Sequence, residues 1–235
     1  MSLSRPVHAG DLLWLARRAA ELVSPSLCAA CEEPAGPGDL LCAHCEALAR
    51  PSDVVERLPD GALVVTSGLY EGPLGEAIRR MKYGQRPDLA RAFGVRLGKA
   101  LAAAPFVSQA ALVPVPLHRA RLAERGFNQS ALVAGAAARF LRVEYLPLAL
   151  ARPRRTVEQA SLGRSARRDN VAGAFVVRGS VRGRRVIVVD DVVTTGATSR
   201  ACTAALEDAG AEVVAVAALA RARRDRRDMA RDDAA

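Results

Sequence analysis

Short, uninterrupted apolar runs alternate with helical patterns along this chain, and that alternation leaves few architectures open. "ALVVTSGLY" (62–70), "ALVPVP" (111–116), "AFVV" (174–177), "VIVV" (186–189) and "EVVAVAAL" (212–219) read as strands, with a shorter run in "VEYLPL". Because these runs are continuous rather than alternating with polar residues, both faces of each strand are expected to be buried. Helical spacing appears between them. Leu74, Ile78 and Met81 share one face, with Arg79, Arg80 and Lys82 pointing away from it, and Leu89, Phe93, Leu97 and Leu101 recur one turn apart. Further helices are expected from about Ser130 to Leu141 and over 197–209. Strands and helices in this order predict an α/β fold, a parallel sheet covered by helices.

The chain has 235 residues, half of them apolar, enough for one sizeable domain and a small appendage. Composition shifts divide it at 1–50, 51–220 and 221–235. The first part holds a short helix over 11–23 and a Pro- and Gly-rich cysteine module; the last, "RARRDRRDMARDDAA", is densely charged without an apolar face and is expected to be disordered. A net charge of +9 favours anionic partners such as phosphates or nucleic acid, or else serves solubility alone. Charges at Asp11, Arg17, Arg18 and Glu21 break the apolar stretch near the start, and no run reaches the roughly eighteen apolar residues of a membrane span. Cytoplasmic placement without membrane insertion is expected. Aromatic residues, at 4%, are sparse for the stacking platforms of most RNA and single-strand binders.

Cys28 and Cys31 form one Cys-x2-Cys pair, and Cys42 and Cys45 form another after ten intervening residues. Four soft thiolates at that spacing close a tetrahedral shell around Zn²⁺, which makes the metal structural. Disulfides are the alternative, disfavoured in a reducing compartment. His44 could replace a thiolate, although the four cysteines already complete the set. Cys202 fits a buried small residue on its helix.

In "VIVVDDVVTTGAT" an apolar strand ends at Asp190 and Asp191, and Thr194, Thr195, Gly196, Ala197 and Thr198 lead into a helix. Ligands of open parallel sheets bind beyond the carboxyl ends of the strands. Gly196 permits close backbone approach, and the N–H groups of the helix N-terminus attract an anion, so the loop suits a phosphate monoester. The two carboxylates suit a sugar diol, with Mg²⁺ nearby. A phosphorylated ribose offers both halves in that order. Simple strand and helix capping is the plainer explanation of the same residues.

The stretch resembles the thirteen-residue PRPP-binding motif of type I phosphoribosyltransferases. The resemblance implies that Asp190 and Asp191 hold the ribose 2′- and 3′-hydroxyls and that Thr194 to Thr198 cradle the 5′-phosphate. Together with the four-cysteine module, "YEGPLGEAIRRMKYGQRPDLA", "LVPVPLHRARLAERGFNQSALVA" and "RTVEQASLGRSARRDNVAGAF", the sequence is similar to the ComF family from about residue 25 to residue 220. That family is associated with DNA uptake in bacterial competence and often labelled amidophosphoribosyltransferase-like. The N-terminal cysteines, however, stand at metal-ligand spacing rather than in the place of a glutamine-handling nucleophile.

Arg119, Arg121 and Arg125 follow the strand 111–116, where a pyrophosphate would lie; Arg125 beside Gly126 fits best, and the other two equally fit a solvated helix face. Asn128 suits a helix N-cap and His118 a surface or catalytic place. Lys82 closes a helix, an ordinary place for a lysine, and the resemblance makes it a pyrophosphate or substrate contact. The segment 152–170, with Arg152, Arg154, Arg155, Thr156, Gln159, Arg164, Arg167, Arg168 and Asn170, fits a closing arm, a solvated loop or a surface tracking nucleic acid. The function implied is phosphoribosyl transfer from PRPP to an acceptor the sequence does not name, with Asp190, Asp191 and Arg125 at the reaction centre. A binding module is the alternative: a transferase fold that holds nucleotides or single-stranded DNA and partners a competence helicase or a recombination-loading protein. A PRPP-sensing regulator is a third.

Overall fold

The structure, a computed structural model, describes residues 26–49, 55–58, 61–153 and 174–222. The expected helix over 11–23, most of the basic segment after Pro153, and the tail beyond residue 222 lie outside the described residues.

Five strands form the main sheet: β1 (Val55–Arg57), β2 (Leu63–Thr66), β3 (Ala111–Pro114), β6 (Arg185–Val193) and β7 (Glu212–Arg221), in the order β1-β2-β7-β6-β3. β2, β7, β6 and β3 run parallel, and β1 is an antiparallel edge. Side chains alternate across this sheet into two apolar layers. Ile187, Val189, Ala217 and Leu219 join one layer, and Val186, Val188, Val216 and Ala218 join the other. The first is covered by α2 (Gly72–Tyr83), α3 (Ala90–Ala102) and α5 (Gln129–Leu141), the second by α6 (Ala197–Asp208). The doubly covered parallel sheet expected from the continuous runs is thus present.

Three details differ from the sequence reading. "AFVV" supplies β5 (Val176–Val177), which pairs antiparallel with β4 (Leu150–Ala151) outside the main sheet. Ala174 and Phe175 are buried, but Val176 is 42% exposed, so the run is apolar without being covered on both faces. "VEYLPL" contributes one bridge, Tyr145 to Leu112 on the outer side of β3. β6 also continues past Val189 to Val193, because its pairing with β7 persists through Val192 with Ala220 and Val193 with Arg221; Asp190 and Asp191 lie within the strand.

The cysteine module includes α1 (Ala43–Leu48) and rests on the first layer, where Cys28, Ala29, Leu40, Leu41 and Cys45 share a core with Leu74, Ile78 and Phe93. Glu32 meets Arg80 at 2.6 Å, and Glu46 meets Arg96 at 2.6 Å, at the edges of this contact. No helix among the described residues is long and apolar enough to cross a membrane.

α3 and α5 approach closely through glycine. A Cβ on Gly94 would lie 2.3 Å from the Ala136 methyl and 2.9 Å from the backbone of Val133 and Ala137. A Cβ on Gly98 would meet only the ring of Phe140, at 2.5 Å, and that side chain is 43% exposed and can turn aside. Since the start of α5 lines the candidate site, this crossing sets its position. Gly94→Val is expected to lower the free energy of unfolding by at least about 2 kcal/mol, whereas Gly98→Ala stays within about 1 kcal/mol of the parent, as read by urea denaturation.

Candidate functional site

The carboxyl ends of β3 and β6 open into a cavity of about 670 Å³. Both aspartates are approached from the start of α5, Asp191 by Gln129 and Asp190 by Ser130. Asp191, 7% exposed, points to the layer of α2 and α5; Lys82 Nζ lies 3.0 Å from its Oδ1, and the Gln129 amide donates to its Oδ2. Both oxygens are engaged. Asp190 accepts from the backbone N–H of Asp191 at 2.8 Å and weakly from Ser130 Oγ at 3.4 Å. Burial, and then the Asp191 charge beside it, push the Asp190 carboxyl up to about 7.

Lys82 does not point away with Arg79 and Arg80, as its helical face suggested. Its side chain is only 13% exposed, because the end of α2 abuts β6 and the long stem carries the ammonium under Tyr70 to the carboxylate. Arg125 closes the short helix α4 (Arg119–Arg125), and its guanidinium lies 5.3 Å from the ring centre of Tyr83. Arg121 and Arg125 both line the cavity. His118 is the N-cap of α4, accepting from the N–H of Ala120, and Asn128 is the N-cap of α5 while also donating to the Val115 carbonyl. Arg152, over the ring of Phe175, lines the cavity too, and burial lowers its pKa. The remaining basic residues singled out after it, together with Asn170, lie outside the described residues.

Of the loop, Thr194 and Thr198 line the cavity, and Thr195 and Gly196 turn the chain into Ala197, the first residue of α6. Gly196 has φ +77°, and a Cβ there would sit 2.8 Å from Leu58, so this position needs glycine twice over. Thr195 Oγ1 accepts from the N–H of Ala197 at 3.4 Å. Two guanidinium groups hold the loop's carbonyls: Arg200 donates to Thr195, and Arg221 donates to Val193 and Thr194. Arg221, assigned by charge to the tail, is instead the last residue of β7 and also pairs with Glu56 of β1 at 2.6 Å.

Sequence reasoning missed Gln129, Ser130, Tyr70, Arg200 and Arg221. Gln129 stood inside the quoted RGFNQ element, but nothing in spacing or composition distinguishes a glutamine aimed at a carboxylate from one on a helix surface.

The four cysteine sulfurs lie within 4.8 Å of one another, and Cys31 and Cys42 are 3.7 Å apart. Four thiolates about 2.3 Å from one ion would stand about 3.8 Å apart, so the set is compatible with a structural zinc. Burial and then the neighbouring sulfurs push the Cys45 thiol up, a penalty a bound cation would relieve.

Because Asp190 keeps its proton to higher pH in the folded chain than in the unfolded one, the folded state binds the extra proton between about pH 4 and pH 7, and stability falls as pH rises through that window. Asp190→Asn removes this effect. The variant is expected to exceed the parent by roughly 1–3 kcal/mol at pH 8, with the gain shrinking toward pH 4, in urea unfolding across pH.

A family model described as "Phosphoribosyl transferase domain" matches residues 128–234. The DNA utilization protein YhgH of Escherichia coli O157:H7 is 32% identical over 219 residues, which cover 89% of this chain and 96% of that protein. Competence protein F of Haemophilus influenzae is 33% identical over 175 residues, 72% of this chain and 76% of that one. Among solved structures, the "allosteric regulatory enzyme of purine biosynthesis" aligns at 27% identity with a TM-score of 0.41, covering 60% of this chain and 30% of that enzyme. The chain belongs to the ComF family of competence and DNA utilization proteins, which carry a type I phosphoribosyltransferase domain.

Proposed function

We propose that the cavity binds PRPP with Mg²⁺ and that the protein transfers its phosphoribosyl group to an acceptor. The supporting observation is the convergence on one cavity of Asp190 and Asp191, Thr194 and Thr198, and the cations Lys82, Arg121, Arg125 and Arg152. In this reading the aspartates accept from the ribose hydroxyls, and the turn from Thr194 through Thr195, Gly196 and Ala197 to Thr198 holds the 5′-phosphate at the start of α6. The bond from the anomeric carbon to the pyrophosphate oxygen breaks as the acceptor bonds to that carbon, through an oxocarbenium-like state, and the pyrophosphate leaves with the electron pair. Arg121 and Arg125, with Lys82 and Arg152 close by, stabilise the departing charge. A magnesium ion arriving with the diphosphate would add to that neutralisation; Asp190 and Asp191 are carboxylates able to share it, since burial and the neighbouring Asp191 charge, which raise the Asp190 pKa, would both be offset by a cation. The chain's contribution is position and field.

The cysteine module is read in the same proposal as a zinc site that braces α2, the helix carrying Lys82. A second reading, nucleotide or single-stranded DNA binding without transfer in partnership with a competence helicase or a recombination-loading protein, is favoured by one observation. Tyr83 is 73% exposed at the cavity rim with Arg125 over its ring, a surface on which a base can stack. The relatives' names, DNA utilization protein and competence protein, agree with either reading.

Calorimetry with PRPP and Mg²⁺ should give a binding isotherm for the parent and none for Asp190→Asn/Asp191→Asn; an isotherm unchanged by the double substitution, or none with the parent, counts against the transferase reading. Heat from a single-stranded oligonucleotide in place of PRPP would favour the second. Metal analysis should find about one zinc per chain, lost in Cys28→Ser/Cys45→Ser together with several degrees of Tm, and retention of full zinc by that variant would exclude the site.

A further inference from the structure

Gln129 opens α5 and is 3% exposed, yet it lines the cavity. A carboxylate oxygen only accepts, so the amide turns its NH₂ toward Asp191 and leaves its carbonyl on the other side. That carbonyl oxygen, Oε1, is buried and finds no hydrogen-bond partner among the described residues. Buried polar atoms are seldom left unmatched, and an orphan at a cavity wall marks the place of a ligand's donor.

The position of this acceptor identifies the donor. Oε1 and Nε2 belong to one rigid amide, and Nε2 sits on Asp191, so any group reaching Oε1 lies beside that carboxylate. A vicinal diol presents two O–H donors side by side, one for the carboxylate and one for the amide. A sugar lacking one of the two hydroxyls leaves Oε1 orphaned in the complex as well, and sites with a buried polar group left unpaired reject such analogues.

Resting on the ribose-phosphate reading above, we propose that Gln129 is a specificity-determining residue: its carbonyl accepts from a ribose hydroxyl, and the site thereby selects ribose over 2-deoxyribose. Its contact with Asp191 holds the amide in place for this. Lys82, on the other carboxylate oxygen, fixes Asp191 from the far side.

The test measures the affinities of ribose 5-phosphate and 2-deoxyribose 5-phosphate by calorimetry, for the parent and for Gln129→Met, which keeps side-chain length and removes both amide atoms. The parent is expected to favour ribose 5-phosphate by about tenfold or more. Gln129→Met is expected to bring the two within about threefold of each other, chiefly by weakening ribose 5-phosphate. If Gln129 only positions Asp191, both ligands weaken together and the ratio survives, which overturns the assignment. Should Gln129→Met fail to fold, Gln129→Asn, which keeps the amide but withdraws it by one methylene, is read by the same ratio, and equal affinities of the parent for the two sugars overturn the assignment as well. A parent that binds neither sugar phosphate removes the ribose-phosphate reading itself, and this inference with it.

Discussion

The Asp191 carboxylate ties the molecule together at the cavity end of the sheet. It belongs to the central strand β6, and through Lys82 and Gln129 it joins the C-terminus of α2 to the N-terminus of α5. A charge this buried is tolerable only when both oxygens have partners, and here one is an ammonium and the other an amide. Removing either partner would leave a poorly solvated carboxylate between two helices. The arrangement therefore fixes where those helices end relative to the sheet, and the cavity is the space left between them.

The rest of the fold serves that junction. Gly94 lets α3 approach α5 closely enough to seat its first turn over β6, and the cysteine module braces α2 and α3 from the outside through Glu32 and Glu46. On the opposite face α6 packs over Val186 and Val188 with Cys202 and Leu206. Asp190, reached by Ser130 of α5, is held differently from Asp191: burial and the neighbouring charge keep its proton bound up to about neutral pH. Two adjacent residues of one strand thus have opposite surroundings, one matched by a cation and the other held back by desolvation.

The strands at 186–189 and 212–219, the helices of the first layer and the cysteine cluster were legible because each depends on local pattern: unbroken apolar runs, apolar residues one turn apart, and paired cysteines. So was the placement of the aspartate pair and the Thr-Gly-Ala-Thr turn at the carboxyl end of β6, since strand, turn and helix start are written in consecutive residues. What escaped depends on contacts distant in sequence. Lys82 reads as a solvated helix end until β6 is placed beside it, and Gln129 reads as a first helical residue until Asp191 lies opposite. β5 was misplaced because four apolar residues specify a strand but not its partner, and Val176 of that run is left exposed.

Arg221 has a consequence for how this protein tolerates change. Its guanidinium spans from Glu56 on the antiparallel edge to the carbonyls at the head of the Thr-Gly turn, so the outermost strand of the sheet, remote in sequence, helps mould the mouth of the cavity. The edge strand is therefore not disposable trim. Grafting the Thr-Gly turn onto another scaffold, or paring this one down to its parallel strands, would have to carry the Glu56–Arg221 strut along with it.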